Sequence, residues 1–367
     1  MSVSQRERYS LSPEMREFVR INQGFASADA SLNARREAFL RGCRYFTPVK
    51  PEGLEITDTA LGNLPVRLYK PSGTAPKQGW PVLLYLHGGG WDLGHLDTHD
   101  WFVYALAKRL SLVIVAVAYR LAPEHPYPAA LDDSLTVWNA LRAGGLGGDL
   151  SCEQIVVCGD SAGGTLAAGL CMTLRDKGEL QPLGQALVYP VLTTETFLPS
   201  AILYADAPLL STTGLAGSFE RYLPTAQMRS EASAMPLMAN NFRGLAPAFI
   251  GVAEFDILRD EGYAYRDVLE ADHVSVSLYL GKGLLHGSLR AQGVEQVEAF
   301  YDALAQAIST FLVNAHYSIE GTPNVWDPPS GRAVLRGASD RGAQAKSCHR
   351  FCPRALCDRL KKLIALV

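Results

Sequence analysis

The chain lacks the features that several protein classes require. Its 367 residues carry 34 Lys and Arg against 37 Asp and Glu, a formal charge of −3, and no strongly basic stretch occurs before residue 330. A principal nucleic-acid partner needs a basic surface, so that class is set aside. No segment approaches the roughly 18 continuous apolar residues of a spanning helix. The N-terminus, Met-Ser-Val-Ser-Gln-Arg-Glu-Arg, is polar with no apolar run behind it, so neither a signal peptide nor a membrane anchor is expected and the chain reads as cytoplasmic. The seven cysteines are odd in number and show no even framework, which makes reduced thiols the expectation. What is present is an ordinary globular balance, 48% apolar and 19% charged. That balance excludes disorder, collagen-like repeats and a disulfide-stapled mini-protein.

Residues 1–46 read as helical. Leu11, Met15, Phe18, Val19 and Phe39 recur at helical spacing, Ser12 is placed to cap the first helix, and Pro13 suits its first turn. From Leu54 the pattern turns to β: residues 54–60 and 65–69 alternate, as half-exposed edge strands do. Residues 82–86, 112–118, 155–158, 186–189 and 248–252 are continuous apolar runs, the pattern of strands buried on both faces. Helical patterns near 98–110, 128–143, 162–175, 259–271 and 294–313 alternate with them, and a last strand fits 274–280. This alternation predicts an α/β fold with a mostly parallel sheet and helices on both faces. About fifty residues separate the strands on either side of 192–245, too many for a crossover helix, so this insertion and the N-terminal helices are expected to cap the sheet.

Residues 318–367 differ, with nine Lys and Arg against four Asp and Glu and three of the seven cysteines. They are expected to be a basic, disordered tail outside the fold. Cys348, His349, Cys352 and Cys357 lack the paired Cys-x-x-Cys spacing of a zinc site. Residues 356–364 could form a short amphipathic helix, to which no function is attached.

Gly159-Asp160-Ser161-Ala162-Gly163 matches Gly-x-Ser-x-Gly. Such a match arises by chance with probability on the order of 0.2 in a chain like this, but here a buried strand precedes it and a helical run follows, the context of a nucleophile elbow. His87-Gly88-Gly89-Gly90-Trp91 ends another strand. Glycines there can turn backbone N–H groups of Gly88, Gly89 and Gly90 toward a developing oxyanion, with the Ala162 N–H aimed at the same place. His87 is expected to orient that loop rather than act as base, and Trp91 to wall the acyl pocket. An acid and a base should follow the serine in the order Ser, Asp, His. Asp256 stands at the end of its strand, whereas Asp260 and Glu261 suit a first helical turn. His286 lies in a loop before the final helix. The remaining metal-like cluster, His95 and His99 with Asp92, Asp97 and Asp100, is read as capping and supporting groups, so no metal is expected. Gly144-Gly145-Leu146-Gly147-Gly148 lacks the Lys-Ser/Thr of a phosphate loop and is read as a connection.

With these motifs the chain resembles the hormone-sensitive-lipase family of α/β-hydrolases, in its bacterial carboxylesterase branch. The likeness rests on 87–91, Tyr119-Arg120-Leu121-Ala122-Pro123-Glu124, 159–164, the Asp-x-Leu-x-Asp of 256–260, and His286-Gly287. It implies an eight-stranded α/β-hydrolase core at 48–191 and 246–317, capped by 1–47 and 192–245. It also implies a Ser161, Asp256, His286 triad with an oxyanion hole at Gly88 to Gly90 and Ala162. Two departures stand out: Ser288 replaces a frequent aromatic residue and is expected to widen the site, and the tail has no family counterpart.

The expected reaction is hydrolysis of short- to medium-chain carboxylic esters through an acyl-enzyme, without a cofactor. Trp91, Phe39, Leu209, Phe219 and Tyr222 are the expected pocket residues. The partner is a small-molecule ester, and a homodimer is held open. Lipase or amidase and formamidase action by the same triad is the alternative within catalysis. A ligand-binding receptor without turnover is the alternative outside it; such relatives typically lose the histidine, and His286 is present.

Overall fold

The computed structural model describes residues 8–27 and 29–319. Residues Met1–Ala315 form one compact unit; the second, His316–Val367, falls almost wholly outside the described residues, and with it the expectations for the tail, its cysteines and its amphipathic segment.

Helix α1, Pro13–Gln23, starts where the Ser12 Oγ accepts the Met15 N–H at 3.1 Å and Pro13 occupies the first turn. It buries Met15, Phe18 and Val19 on one face. Helix α2, Leu32–Phe46, is capped by Ser31. The hairpin of β1 (Leu54–Leu61) and β2 (Leu64–Pro71) follows, turning at Gly62. β1 leaves most of its side chains exposed, as an edge strand does.

The central strands are β3 (Trp80–Leu86), β4 (Val113–Val117), β5 (Leu150–Asp160), β6 (Gln185–Val188) and β7 (Ala248–Phe255). Their apolar side chains are buried almost throughout, which accounts for their continuous hydrophobic runs. β8 (Val276–Leu285) completes an eight-stranded sheet of order β1-β2-β4-β3-β5-β6-β7-β8. β1–β2 and β2–β4 pair antiparallel and all later pairs parallel.

The remaining helices are α3 (Asp100–Ala107), α4 (Ala129–Arg142), α5 (Ala162–Asp176), α6 (Pro199–Leu203), α7 (Thr212–Tyr222), α8 (Ala226–Ser230), α9 (Arg259–Ala271) and α10 (Glu295–Ile319). The crossover from β3 to β4 runs one way along the sheet and that from β4 to β5 runs back over it. Right-handed crossovers therefore put α3 on one face and α4, α5 and α9 on the other. α10 joins α3, with Phe102 against Tyr301 at 5.7 Å and Arg109 bonded to Glu298 and Asp302. The reversal leaves a crevice between the carboxyl ends of β3 and β5, where open α/β sheets bind their ligands.

The last strand departs from the expected 274–280: it runs on to Leu285 through Gly281-Lys282-Gly283, which looked like a loop. The Gly283 N–H bonds Glu254 Oε2 at 2.7 Å across a register shift between Ala253 and Phe255. A Cβ at Gly281 would meet Leu284 and Phe300 at 2.6 and 3.0 Å, so close packing explains that glycine.

Candidate active site

Four strands end on four residues of interest: β3 on His87, β5 on Ser161, β7 on Asp256 and β8 on His286. Ser161 has φ 54° and ψ −120°, a strained turn that only tight surroundings hold. Those surroundings are the two glycines of its motif. A Cβ at Gly159 would lie 2.2 Å from the Gly163 oxygen, and one at Gly163 would lie 1.9 Å from the Leu86 oxygen. The turn is pinned further by Ser161 N–H to the Val188 oxygen at 2.8 Å.

Ser161 Oγ lies 2.8 Å from His286 Nε2, and His286 Nδ1 lies 2.8 Å from Asp256 Oδ2. Asp256 is 1% exposed, and its other oxygen accepts the Leu258 N–H at 3.0 Å. The structure thus brings together the three residues singled out from sequence and leaves Asp260 aside, bonded to the Ser200 N–H at 2.8 Å.

The glycine loop needs one correction. The Gly88 N–H is spent on Asp160 Oδ1 at 2.9 Å, and a Cβ at 88 would meet Asp160 Oδ2 at 2.4 Å. Gly88 therefore anchors the loop, and among the described residues the N–H groups of Gly89, Gly90 and Ala162 have no internal partner. Gly89 and Gly90 take φ 123° and 60°, which turns this stretch of backbone in a way side chains resist.

Asp160 is a residue that sequence reasoning passed over, although it stands inside the serine motif. It also accepts the Tyr85 hydroxyl at 2.7 Å and lies 3.7 Å from His99 Nε2. Burial opposes its charge, but His99 and the Tyr85 hydrogen bond outweigh this and hold the carboxyl below its ordinary value. His87 donates from Nδ1 to the Gly88 oxygen at 2.9 Å, and the Tyr119 hydroxyl bonds the His87 oxygen at 2.6 Å. Burial, with His99 nearby, pushes the His87 imidazole down to about 3, so it is neutral and orients the loop.

Ser161, His286, Gly89 and Gly90 open on a cleft of about 430 Å³ walled also by Phe39 and Leu209. Trp91, Phe219 and Tyr222 are not in that wall. Trp91 is fully buried and stacks on Tyr222 at 4.4 Å and 3°, with Phe219 behind at 6.1 Å. Apolar burial draws this aromatic trio behind the loop, where it supports the site without facing it. Ser288 is likewise buried and absent from the wall; its Oγ accepts the Leu285 N–H at 3.2 Å and shapes the turn after β8.

The acidic and histidine residues near 92–100 face separate partners. Asp92 pairs with Arg35 of α2 at 3.3 Å and with Arg221 of α7, and Asp97 pairs with Arg44 and Arg67, each at 2.9 Å. Asp100 accepts the Tyr69 hydroxyl at 2.5 Å. Among the described residues no three such side chains are arranged to hold a metal, and no helix is long and apolar enough to cross a membrane.

Residues 83–290 match the family model described as the α/β hydrolase fold. Carboxylesterase NlhH of Mycobacterium tuberculosis (strain ATCC 25618 / H37Rv) is 40% identical over 276 residues, covering 72% of this chain and 83% of that protein. Ethyl acetate hydrolase of Pseudomonas putida is 37% identical over 240 residues, 65% of this chain and 75% of the relative. A solved thermostable esterase from Pseudomonas putida ECU1011 superposes with a TM-score of 0.76 at 27% identity, covering 82% of this chain and 98% of that one. With its sheet order, its serine turn and these likenesses together, the chain belongs to the α/β-hydrolase family, in the hormone-sensitive-lipase-like esterase branch.

Proposed function

We propose that the chain is a serine carboxylesterase acting on short- to medium-chain esters through an acyl-enzyme on Ser161. The observation that carries this is the continuous hydrogen-bonded line Ser161 Oγ, His286, Asp256, with 2.8 Å at each link. Asp256 accepts a hydrogen bond from the Nδ1–H of His286, which leaves the Nε2 lone pair toward the serine hydroxyl, and it stabilises the imidazolium that forms. His286 takes the Ser161 proton as Oγ attacks the ester carbonyl, returns it to the departing alcohol, and then activates water for deacylation. The N–H groups of Gly89, Gly90 and Ala162 receive the oxyanion, and the start of the 15-residue helix α5 adds its dipole. Each such donor contributes about 2.7–4 kcal/mol to transition-state stabilisation. Nothing in these steps calls on a metal or cofactor.

Residues 1–47 and 192–245 act as the cap over a core of 48–191 and 246–317. In support, Phe39 and Leu209, one from each piece, both line the cleft. The cleft is small, which favours dissolved esters over emulsified lipid. A cytoplasmic setting fits the four described cysteines, Cys43, Cys152, Cys158 and Cys171, all free. Light scattering reads directly whether the protein works as a homodimer.

The test is an acyl-length series of 4-nitrophenyl esters run beside matched anilides, on wild type and Ser161→Ala. We expect turnover to peak at acetyl to hexanoyl, to favour ester over amide, and to fall by several orders of magnitude in the variant. A preference for the anilide gives the amidase reading, and absence of turnover in folded protein gives the receptor reading.

A further inference from the structure

Among the described residues, Arg290 is a cation in the cleft without an acid. It closes the turn Ser288–Arg290 just after His286 and lines the same cleft as Ser161. Its Nε donates to the Gly287 oxygen at 3.2 Å, and one Nη lies 3.9 Å from Cys43 Sγ. Its guanidinium also lies over the rings of Phe18 and Phe39 at 5.8 and 5.9 Å. Among the described residues no carboxylate pairs with it. The other cleft arginine, Arg35, is paired with Asp92 at 3.3 Å.

The carboxylates of the cleft are already committed. Asp92 is held by Arg35 and Arg221, and Asp160 by Tyr85 and the Gly88 N–H. Asp256, buried outside the cleft wall, belongs to His286. A guanidinium presents five N–H donors in a fixed fork suited to a carboxylate, and Arg290 uses few of them internally.

We propose that Arg290 forms an anion subsite, and that the preferred substrates are esters carrying a carboxylate on the alcohol portion. The position follows from the chemistry, because the leaving alcohol must lie by His286 to receive its proton, and Arg290 shares the turn that carries His286. The inference rests on the esterase reading given above. A purely structural role for Arg290, stapling Phe18 and Phe39 of the N-terminal helices by cation–π contact, is the competing account.

The two separate in steady-state kinetics on 4-acetoxybenzoate and its neutral counterpart 4-acetoxybenzamide, with wild type, Arg290→Lys and Arg290→Gln. The ratio of the two kcat/KM values cancels any general damage to the fold. We expect wild type to favour the carboxylate by about tenfold or more, Arg290→Gln to collapse that ratio toward one with the change mainly in KM, and Arg290→Lys to keep part of it. A wild-type ratio near one, or a ratio that survives in Arg290→Gln while both rates fall, overturns the subsite and leaves the staple. Hydrolysis of neither ester by wild type sinks the esterase reading and the subsite together; hydrolysis without preference sinks the subsite alone.

Discussion

Gly163→Ala should disable the site with a single methyl group. The added Cβ would stand 1.9 Å from the Leu86 oxygen, 2.6 Å from the Leu86 carbon and 2.7 Å from the His87 oxygen. A carbon needs about 3.3 Å from a carbonyl oxygen, so the end of β3 and the first turn of α5 must part by about 1.4 Å. None of the three atoms is the free end of a side chain, so the backbone itself has to move. It moves where the Gly89 and Gly90 donors leave one side and Ala162 leaves the other. Misplacement by about 1 Å costs on the order of 10²-fold in rate, and loss of one oxyanion donor costs about 10²–10³-fold. The expected result is a fall in kcat on 4-nitrophenyl acetate of about 10²-fold or more, with a stability loss of about 1–3 kcal/mol from overpacking in the urea midpoint. Gly148→Ala, where a Cβ meets nothing within 4 Å, serves as the control and should change neither value. A folded Gly163→Ala protein with wild-type kcat would refute the argument that this contact sets the oxyanion geometry.

Trp91→Ala should cost about 3–5 kcal/mol, because its ring is fully buried on Tyr222, whereas Trp91→Phe should leave the acyl-length optimum where it was. A shifted optimum would return Trp91 to the cleft wall. Glu261 of α9 accepts the N–H groups of Leu192 and Thr193 at 2.6 and 3.1 Å, and burial, with Asp256 adding to it, pushes its carboxyl well above the ordinary 4.5. A carboxyl raised in the folded state contributes stability that is complete below pH about 4.5 and is lost as the pH climbs from there through the raised folded pKa. Glu261→Gln keeps an acceptor oxygen without the titration, so its urea midpoint relative to wild type should rise between pH 5 and pH 9; a relative midpoint that falls or stays level would contradict the assignment.

The sheet was legible because β3 to β7 are buried on both faces, and burial of that kind writes continuous apolar runs into the sequence. β8 was legible only as far as residue 280, since Gly281 and Gly283 carry a loop signal that packing against Phe300 and a bond to Glu254 override. Ser161, Asp256 and His286 could be found because each follows a strand end in a fixed chain order. The walls of the cleft were legible only in part: Phe39 and Leu209 line it, whereas Trp91, Phe219 and Tyr222 do not. Whether Trp91 faces the cleft or Tyr222 depends on where α7 lies, and no local period records that. Gly88 looked like its two neighbours, and only the geometry shows its N–H given to Asp160. Asp160 and Arg290 were missed for the same reason: the groups around them lie far away in sequence.

The central claim is that His286 activates Ser161 as a nucleophile. It is tested most directly by intact-protein and peptide mass spectrometry after exposure to a 4-nitrophenyl alkylphosphonate. The account predicts one adduct per chain, on the peptide holding Ser161, lost in Ser161→Ala and slowed by orders of magnitude in His286→Ala. Folded protein that takes no label, or takes it on another residue, would contradict it.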